Sequence, residues 1–285
     1  MKRALSTHLY ANHELTTAML SGILRAGIKE VEIFCAKQHF DYTNSTQVRE
    51  LANWFSDHAL VLGSLHAPMY KDLDWGRSSG ATINIVELNR HRRLEAEGEL
   101  KRALDVAEQI PFRYLVVHLG VAHEKFELAK FDAGHASLEP LLLHAKQRGV
   151  QILLENIPNE LSTPERLRSF IEYTRLSELG FCFDTGHAHL GAGVEPEFES
   201  LRERVFSTHV HDNHGDRDDH LFPFEGSIDW EVTLRLLTHA PNELPLQLEA
   251  RDTSEHKQPL EKALEVFARL EEIVARVGTP HERKA

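Results

Sequence analysis

The chain has 285 residues, 41% hydrophobic and 27% charged, so it can bury one large core or two modest ones. Its formal net charge of -12 repels phosphate backbones and anionic membrane surfaces, which argues against nucleic acid and membranes as partners. Its two cysteines are too few for a disulfide framework, and no stretch is apolar enough for a signal peptide or a membrane span, so we expect a cytoplasmic protein.

Short apolar runs alternate with longer amphipathic segments, and several runs are apolar on both faces, as buried parallel strands are. The runs that we predict to be strands are residues 4–10, 31–35, 60–66, 114–119, 151–156, 180–184, 205–211 and 244–249. Eight strand-then-helix units in a chain of this length predict a single-domain (β/α)8 TIM barrel of the α/β class over residues 1–285. A doubly wound open sheet is the competing architecture.

Capping residues and glycines mark the ends of the predicted helices. These helices cover residues 18–26, from Ser45 or Thr46 to Trp54, 82–109, 133–148, a helix opened by Thr163 and Pro164, 230–239 capped by Asp229, and 256–277. No linker rich in proline, glycine or serine interrupts the alternation, which supports one domain. We expect the tail at 278–285 to fray.

Histidines and acids stand at the ends of the predicted strands or in the loops that follow. They are His66, His118, Glu155, Asp184, His187, His209, Asp218, His220 and Glu249. In a barrel these positions converge on one pocket at the carboxyl ends of the strands. Buried carboxylates without a counter-charge are costly, whereas a divalent cation supplies the missing charge. Imidazole and carboxylate without thiolate favour Zn, Mn, Fe or Co.

The motifs around these residues resemble those of the xylose isomerase-like barrels in order and spacing. This family includes sugar isomerases and epimerases and the family-2 apurinic/apyrimidinic endonucleases. The motifs are HAP at 66–68, VVH ending at His118, LLEN with Glu155, DTGHA with Asp184 and His187, HVHD with His209, DDH followed by EG over 218–226, and LE ending at Glu249. Each motif is short, but the set covers essentially the whole chain.

The resemblance implies an enzyme that is a metal-dependent isomerase or epimerase of a small sugar or sugar phosphate. The implied principal metal is a divalent ion such as Mn, Zn, Co or Mg, without a nucleotide cofactor, held by Glu155, Asp184, His209 and Glu249. The two glutamates would also be catalytic, moving protons next to a carbonyl that the metal polarises; the alternative is that Glu155 is a ligand alone. His187 and Arg217 would hold substrate hydroxyls or a phosphate.

The same residues also resemble the three-zinc pattern of endonuclease IV-like phosphodiesterases that act at abasic DNA sites. In that pattern His66, His118, His220 and Asp218 are further metal ligands. If a single metal is bound, the three histidines only shape the pocket. The strand-end loops carry scattered basic residues instead of an arginine and lysine cluster, so this alternative ranks second. These basic residues are Lys37, Lys71, Arg77, Lys125 and Lys130.

Two other functions are weighed beside these. A metal-dependent lyase or dehydratase is a second alternative, because fold does not fix chemistry. A sensor that only binds its ligand is disfavoured, because both glutamates are retained. Homo-oligomerisation stays open.

Several residues have a structural interpretation that competes with a functional one. Trp75, in the loop after the third predicted strand, is a candidate to stack on a sugar ring, whereas Trp54 and Trp230 have the spacing of core residues. His8 is assigned to the surface or the core, as isolated histidines usually are. Asp212 either orients an imidazole or caps a turn.

Overall fold

The computed structural model describes residues 1–74, 80–251 and 258–277. Its strands are β1 (Lys2–Ser6), β2 (Glu30–Phe34), β3 (Val61–His66), β4 (Tyr114–His118), β5 (Gln151–Glu155), β6 (Gly180–Asp184), β7 (Val205–His209) and β8 (Pro245–Leu248). Consecutive strands pair in parallel from β1 to β7, and β1 also pairs with β8. A parallel bridge between Val210 and Leu248 joins β7 to β8 and closes the ring. The predicted (β/α)8 barrel is confirmed.

Helices connect the strands on the outside of the barrel. They are α1 (Thr17–Arg25), α2 (Ser45–Asp57), α3 (Arg90–Asp105), α4 (Leu128–Lys146), α5 (Pro164–Thr174), α6 (Thr185–Leu190), α7 (Val194–Leu201), α8 (Trp230–Thr238) and α9 (Pro259–Val277). Thr163 and Asp229 cap α5 and α8 as predicted. The cap of α2 was predicted one or two residues too late, because the Asn44 side chain accepts from Thr46 N and Gln47 N.

The longest predicted helix, 82–109, is wrong in its first eight residues. The Asn84 side chain accepts from Val86 N in a local turn, and the Asn89 side chain accepts from His91 N and begins the helix at Arg90. Asparagine forms such local hydrogen bonds in competition with helical ones. The sequence pattern therefore placed the start of this helix before the residue at which the helix begins.

The first strand ends at Ser6, earlier than predicted. The Ser6 hydroxyl accepts from His8 N and turns the chain into a short 3₁₀ helix, Thr7–Tyr10. Two helices were not predicted, α6 and α7; the first begins where the Asp184 side chain accepts from His187 N. The predictions for Trp75, Arg77, the first residues of the last helix and the tail at 278–285 lie outside the described residues.

Side chains alternate between the two faces of the strands. In β2, Val31 and Ile33 pack in the main hydrophobic core between the strands and the helices, whereas Glu32 contacts serines of β1 and β3 inside the barrel. Part of the interior is apolar, with a cluster of Val116, Leu153 and Cys182. No helix within the described ranges is long and apolar enough to cross a membrane.

Candidate metal centre

The nine strand-end residues lie together at one end of the barrel. His66, His118, Glu155, Asp184 and His209 are the last residues of β3 to β7, and Glu249 directly follows β8. His187 lies in α6, and Asp218 and His220 lie in the loop between β7 and α8. Since parallel strands place their carboxyl ends at one edge, the fold brings the predicted site residues together.

A central group consists of Glu155, Asp184, His209 and Glu249. Their ligand atoms all lie within 4.8 Å of one another, and all four residues are buried. His209 Nδ1 is 3.2 Å from Glu155 Oε1, 3.1 Å from Glu249 Oε2 and 3.9 Å from Asp184 Oδ2. These residues are the set predicted for the principal metal.

A second group of potential ligands shares a residue with the first. His118 Nε2 is 3.1 Å and His66 Nε2 is 3.5 Å from Glu155 Oε2. Because the other oxygen of this carboxylate, Oε1, faces His209, Glu155 can serve both groups at once. A carboxylate with one oxygen in each group has the geometry of a bridging ligand.

A third group lies beside α6 and contains His187, His211, Asp218 and His220. Asp218 Oδ2 is 3.3 Å from the Nε2 atoms of His187 and His220. The ring of His211 stacks on that of His220 at 4.0 Å, and its Nε2 lies 3.0 Å from Asp184 Oδ2. This group therefore borders the central one.

Burial and charge act against each other in this cluster. Burial raises the pKa of the Glu249 carboxyl to about 7. Burial also acts to raise the pKa of Glu155, but the neighbouring His209 and His118 hold it well below its usual range. Burial acts to lower the pKa of His187, but the carboxylates of Asp184 and Asp218 raise it well above its usual value. Without a metal ion, the negative charge of these buried acids is compensated by protons bound to the cluster.

The residues fit a divalent cation. His187 Nδ1 and His209 Nδ1 are buried and form no well-directed hydrogen bond among the described residues, although they lie 3.3 and 3.1 Å from their nearest carboxylate oxygens. Unsatisfied buried polar atoms are costly, and nitrogen lone pairs beside converging carboxylates are the donors that Zn and Mn take. A bound ion would satisfy these atoms and compensate the buried negative charge.

A cavity of about 190 Å³ opens above the central group. It is lined by both glutamates, by His66, His118, His187, Asp218 and His220, and by apolar side chains such as Phe34, Ile83 and Ile85. Asp184 and His209 lie beneath it and are fully buried. The cavity thus gives access to the ligand groups from one side.

Sequence reasoning missed three residues of this region. His211 follows His209 by two positions, so it lies on the same side of the extended chain. His8 lines the cavity, with its ring 4.8 Å from that of His220, although it had been assigned to the surface or the core. Arg251, two residues after Glu249, is the one arginine or lysine that lines the cavity among the described residues. Their positions just after strand ends could have identified them.

Other predicted residues lie elsewhere. The Arg217 side chain is 77% exposed, lies 3.7 Å from Asp219 and does not line the cavity. Trp230 is buried and Trp54 half-buried, as their spacing indicated. Asp212 accepts from the Trp230 indole and from backbone N–H groups of the loop after β7, so it orders this loop instead of orienting an imidazole.

The four lysines predicted for the strand-end loops form ion pairs within the chain. Lys37 pairs with Glu99 at 3.5 Å, Lys71 with Glu95, Lys125 with Glu160 at 2.7 Å, and Lys130 with Glu124 at 2.8 Å. Their charge is largely neutralised by these carboxylates. They therefore offer little attraction to a phosphate backbone.

Fold and site together define a (β/α)8 barrel whose strand ends assemble nitrogen and carboxylate side chains suited to divalent metal. The sequence model of the xylose isomerase-like TIM barrel family matches residues 22–270. The chain belongs to this family, as its motifs predicted.

Two relatives are uncharacterized proteins. The chain is 30% identical to protein y4fM of Sinorhizobium fredii over 221 residues, 71% of this chain and 63% of that protein. It is 28% identical to MJ1311 of Methanocaldococcus jannaschii over 282 residues, covering 93% of this chain and 90% of that protein. The match thus spans less than two thirds of y4fM but most of MJ1311.

Solved structures with the same fold include a D-tagatose 3-epimerase-like protein, with a TM-score of 0.76, 24% identity, and coverage of 97% of this chain and 99% of that chain. An L-ribulose 3-epimerase superposes with a TM-score of 0.79 at 16% identity, over 99% and 100% of the two chains. The IOLI protein with a bound zinc atom gives 0.77 at 18%, over 97% and 99%. At these identities the likeness concerns the fold.

Proposed function

We propose that the protein is a divalent-metal-dependent isomerase or epimerase of a sugar or sugar phosphate. The observation that carries this proposal is the pair of buried glutamates, Glu155 and Glu249, which lie 3.2 and 3.1 Å from the same nitrogen of His209 and line one cavity. Two carboxyl groups at one small cavity can both reach the carbon next to a substrate carbonyl. Such a reaction needs one group to remove a proton and one to return it.

The two glutamates differ in the way this reaction requires. The histidines beside Glu155 hold its pKa well below its usual range and keep it ionised, whereas burial raises the pKa of Glu249 to about 7, so that this carboxyl can take up and release a proton near neutral pH. When bound, a divalent ion polarises the carbonyl and stabilises the developing negative charge. His66 and His118 face the same cavity and can hydrogen-bond substrate hydroxyls.

Charge around the cavity supports a small substrate. Lys37, Lys71, Lys125 and Lys130 on the surrounding loops are paired with carboxylates, so the part of this surface that the structure describes lacks the basic cluster that a nucleic acid backbone requires. Arg251 lines the cavity two residues after Glu249 and could bind one phosphate or several hydroxyls. The names of the similar folds, D-tagatose 3-epimerase-like protein and L-ribulose 3-epimerase, agree with this substrate class.

Hydrogen exchange with solvent tests the proposed reaction. Metal-loaded protein is incubated in D2O with a panel of ketoses, aldoses and their phosphates, and deuterium next to the carbonyl is followed by NMR. We expect incorporation into at least one substrate, and its loss in Glu155→Gln and Glu249→Gln. Arg217→Gln is the matched control, because this exposed side chain lies outside the cavity and should leave the exchange unchanged. Absence of exchange across the panel would contradict the proposal.

A second candidate is a trinuclear zinc phosphodiesterase. The specific observation in its favour is that three groups of potential ligands adjoin one another, with Glu155 common to two of them. Multinuclear sites of this kind hydrolyse phosphodiesters. Incubation of zinc-loaded protein with abasic-site duplex at physiological salt tests this function. We expect weak binding and no efficient incision, and efficient incision would favour this candidate over the isomerase.

A further inference from the structure

We propose that Glu32, on a strand that carries no member of the three ligand groups, is a positioning residue that orients His209 and strengthens it as a metal ligand. The inference rests on the metal centre of the proposed function, but not on the reaction catalysed there. Glu32 lies in the middle of β2, fully buried inside the barrel. It belongs to none of the three ligand groups.

Glu32 contacts the nitrogen of His209 that faces away from the ligand cluster. His209 Nε2 hydrogen-bonds to Glu32 Oε2 at 3.3 Å and lies 3.2 Å from Oε1, whereas His209 Nδ1 faces the carboxylates of Glu155 and Glu249. The imidazole therefore stands between a carboxylate on one side and the candidate metal position on the other. Carboxylate, histidine and metal in this order form the arrangement that fixes a ligand histidine in many metal sites.

This contact determines which nitrogen of His209 carries the proton. An ionised carboxylate only accepts hydrogen bonds, so Nε2 facing Glu32 must donate. When a metal displaces the proton on Nδ1, the remaining proton is held on Nε2, and Nδ1 can present its lone pair to the ion. A negative partner on Nε2 also makes the ring a stronger electron donor. The orientation of the ring and its affinity for metal both follow from this hydrogen bond.

Other histidines of the cluster are oriented by a different kind of acceptor. His66 Nδ1 donates to the carbonyl of Ala67 at 2.9 Å, and His220 Nδ1 donates to the carbonyl of Glu249 at 3.0 Å. Their Nε2 atoms are thereby directed into the ligand groups. Among these three histidines, the one in the central group has a charged acceptor. The strongest acceptor thus orients the ligand of the principal metal.

Besides His209, two serines hydrogen-bond Glu32, and His66 is a further imidazole whose charge acts on it. Ser6 Oγ donates to Oε1 at 3.0 Å and Ser64 Oγ to Oε2 at 2.8 Å. No lysine or arginine in the described ranges forms an ion pair with it. A buried carboxylate without a lysine or arginine partner is costly compared with an apolar side chain of similar volume. The two serines therefore fix the position of the carboxylate. Its negative charge acts on His209, to which it is hydrogen-bonded.

Glu32→Gln tests this role by removing the charge while preserving the volume. Apo protein is titrated with Zn in competition with a chromophoric chelator, without substrate. We expect the dissociation constant to rise by about 10- to 100-fold. Glu30→Gln is the matched control, since Glu30 lies on the same strand and pairs with Arg113 instead of His209. We expect wild-type affinity in this control.

The signature of the hydrogen bond is read separately by NMR. In wild-type protein we expect the His209 Nε2 proton at low field, shifted upfield in Glu32→Gln and unchanged in Glu30→Gln. Should Glu32→Gln fail to fold, Ser64→Ala provides the test, because it frees one carboxylate oxygen and should weaken Zn binding by a smaller factor. Wild-type affinity in the folded Glu32 variant, or in Ser64→Ala if that variant is needed, would overturn the proposed role of Glu32. It would leave the metal centre itself unaffected. A wild-type protein that binds no Zn would overturn the metal centre itself.

Discussion

Acidic residues stand at both ends of the barrel, but they are compensated in different ways. At the amino ends of the strands, Glu30 pairs with Arg113, and Glu243 lies 3.5 Å from Lys2. At the carboxyl ends, Glu155 and Glu249 face histidines and, within the described ranges, form no ion pair with lysine or arginine. At the amino ends the charge of the acids is neutralised by basic side chains of the same protein. At the carboxyl ends it requires protons or a cation from solution.

The two ends also differ in exposure. The side chains of Lys2 and Glu243 are 70% and 72% exposed, so water screens their charges and the pair contributes little to stability. Glu155 and Glu249 are almost completely buried, where an uncompensated charge is costly. Burial without a lysine or arginine partner, more than the number of acids, therefore distinguishes the candidate metal centre.

The largest effect should come from removing one charge at the carboxyl end. Glu155→Gln and Glu249→Gln should each lower turnover by at least about 100-fold and weaken metal binding, because the charge is needed for ligation and for proton transfer. Circular dichroism should show an intact fold. The deuterium-exchange rate and the metal content check this, with Glu243→Gln at the opposite end as the control. Wild-type turnover in either glutamine variant would refute the assigned roles.

His220→Ala should distinguish one metal from three. If only the central group binds metal, His220 shapes the cavity, and its loss should weaken substrate binding while leaving metal content unchanged. If the third group also binds an ion, removal of this ligand beside Asp218 and His187 should release about one equivalent. On the isomerase proposal we expect no loss. Elemental analysis before and after the change decides between them.

A smaller effect is expected from pH on the stability of the metal-free protein. The folded-state pKa of His187 and of His209 lies well above the usual value, so in the window from about pH 6.5 up to that folded-state pKa the folded protein binds protons that the unfolded chain has released. Stability should therefore fall as the pH rises through this window, by a few degrees in Tm. Metal displaces these protons, so the loaded protein should lack the decline. Parallel calorimetric curves with and without metal would contradict this linkage.

The smallest effect should come from the amino end. Arg113→Gln removes the partner of Glu30, in a pair whose arginine is 55% exposed. We expect a loss of about 1 kcal/mol or less in the free energy of unfolding and no change in metal content. Urea unfolding measures the first quantity and elemental analysis the second. A loss of metal in this variant would show that the two ends are coupled.

The fold and most of the site could be predicted from local patterns. Strand ends were recognisable because apolar runs stop at charged residues such as Glu155 and Asp184, and barrel topology then brings these residues together. The helix starting at Arg90 was misplaced because the turn at Asn84 depends on a side-chain hydrogen bond that periodicity does not register. The position of Arg217 depends on the course of a long loop, which the sequence alone does not fix.

The role of Glu32 lay outside sequence reasoning for a related reason. Its place in the middle of an apolar strand indicates a buried acid, but its partner His209 is 177 positions away, on a strand across the barrel. Only the packed barrel brings Glu32 onto the far side of the imidazole. Local pattern thus predicts the candidate ligands, whereas a residue proposed to orient them is found only in the three-dimensional structure.

Elemental analysis of the purified protein after reconstitution with Mn, Co or Zn tests the central claim most directly. We predict at least one tightly bound divalent ion per chain, lost in Glu249→Gln and retained in Glu30→Gln. About one ion agrees with the isomerase, and about three Zn ions agree with the phosphodiesterase. A wild-type protein that retains no divalent metal after reconstitution would contradict the account.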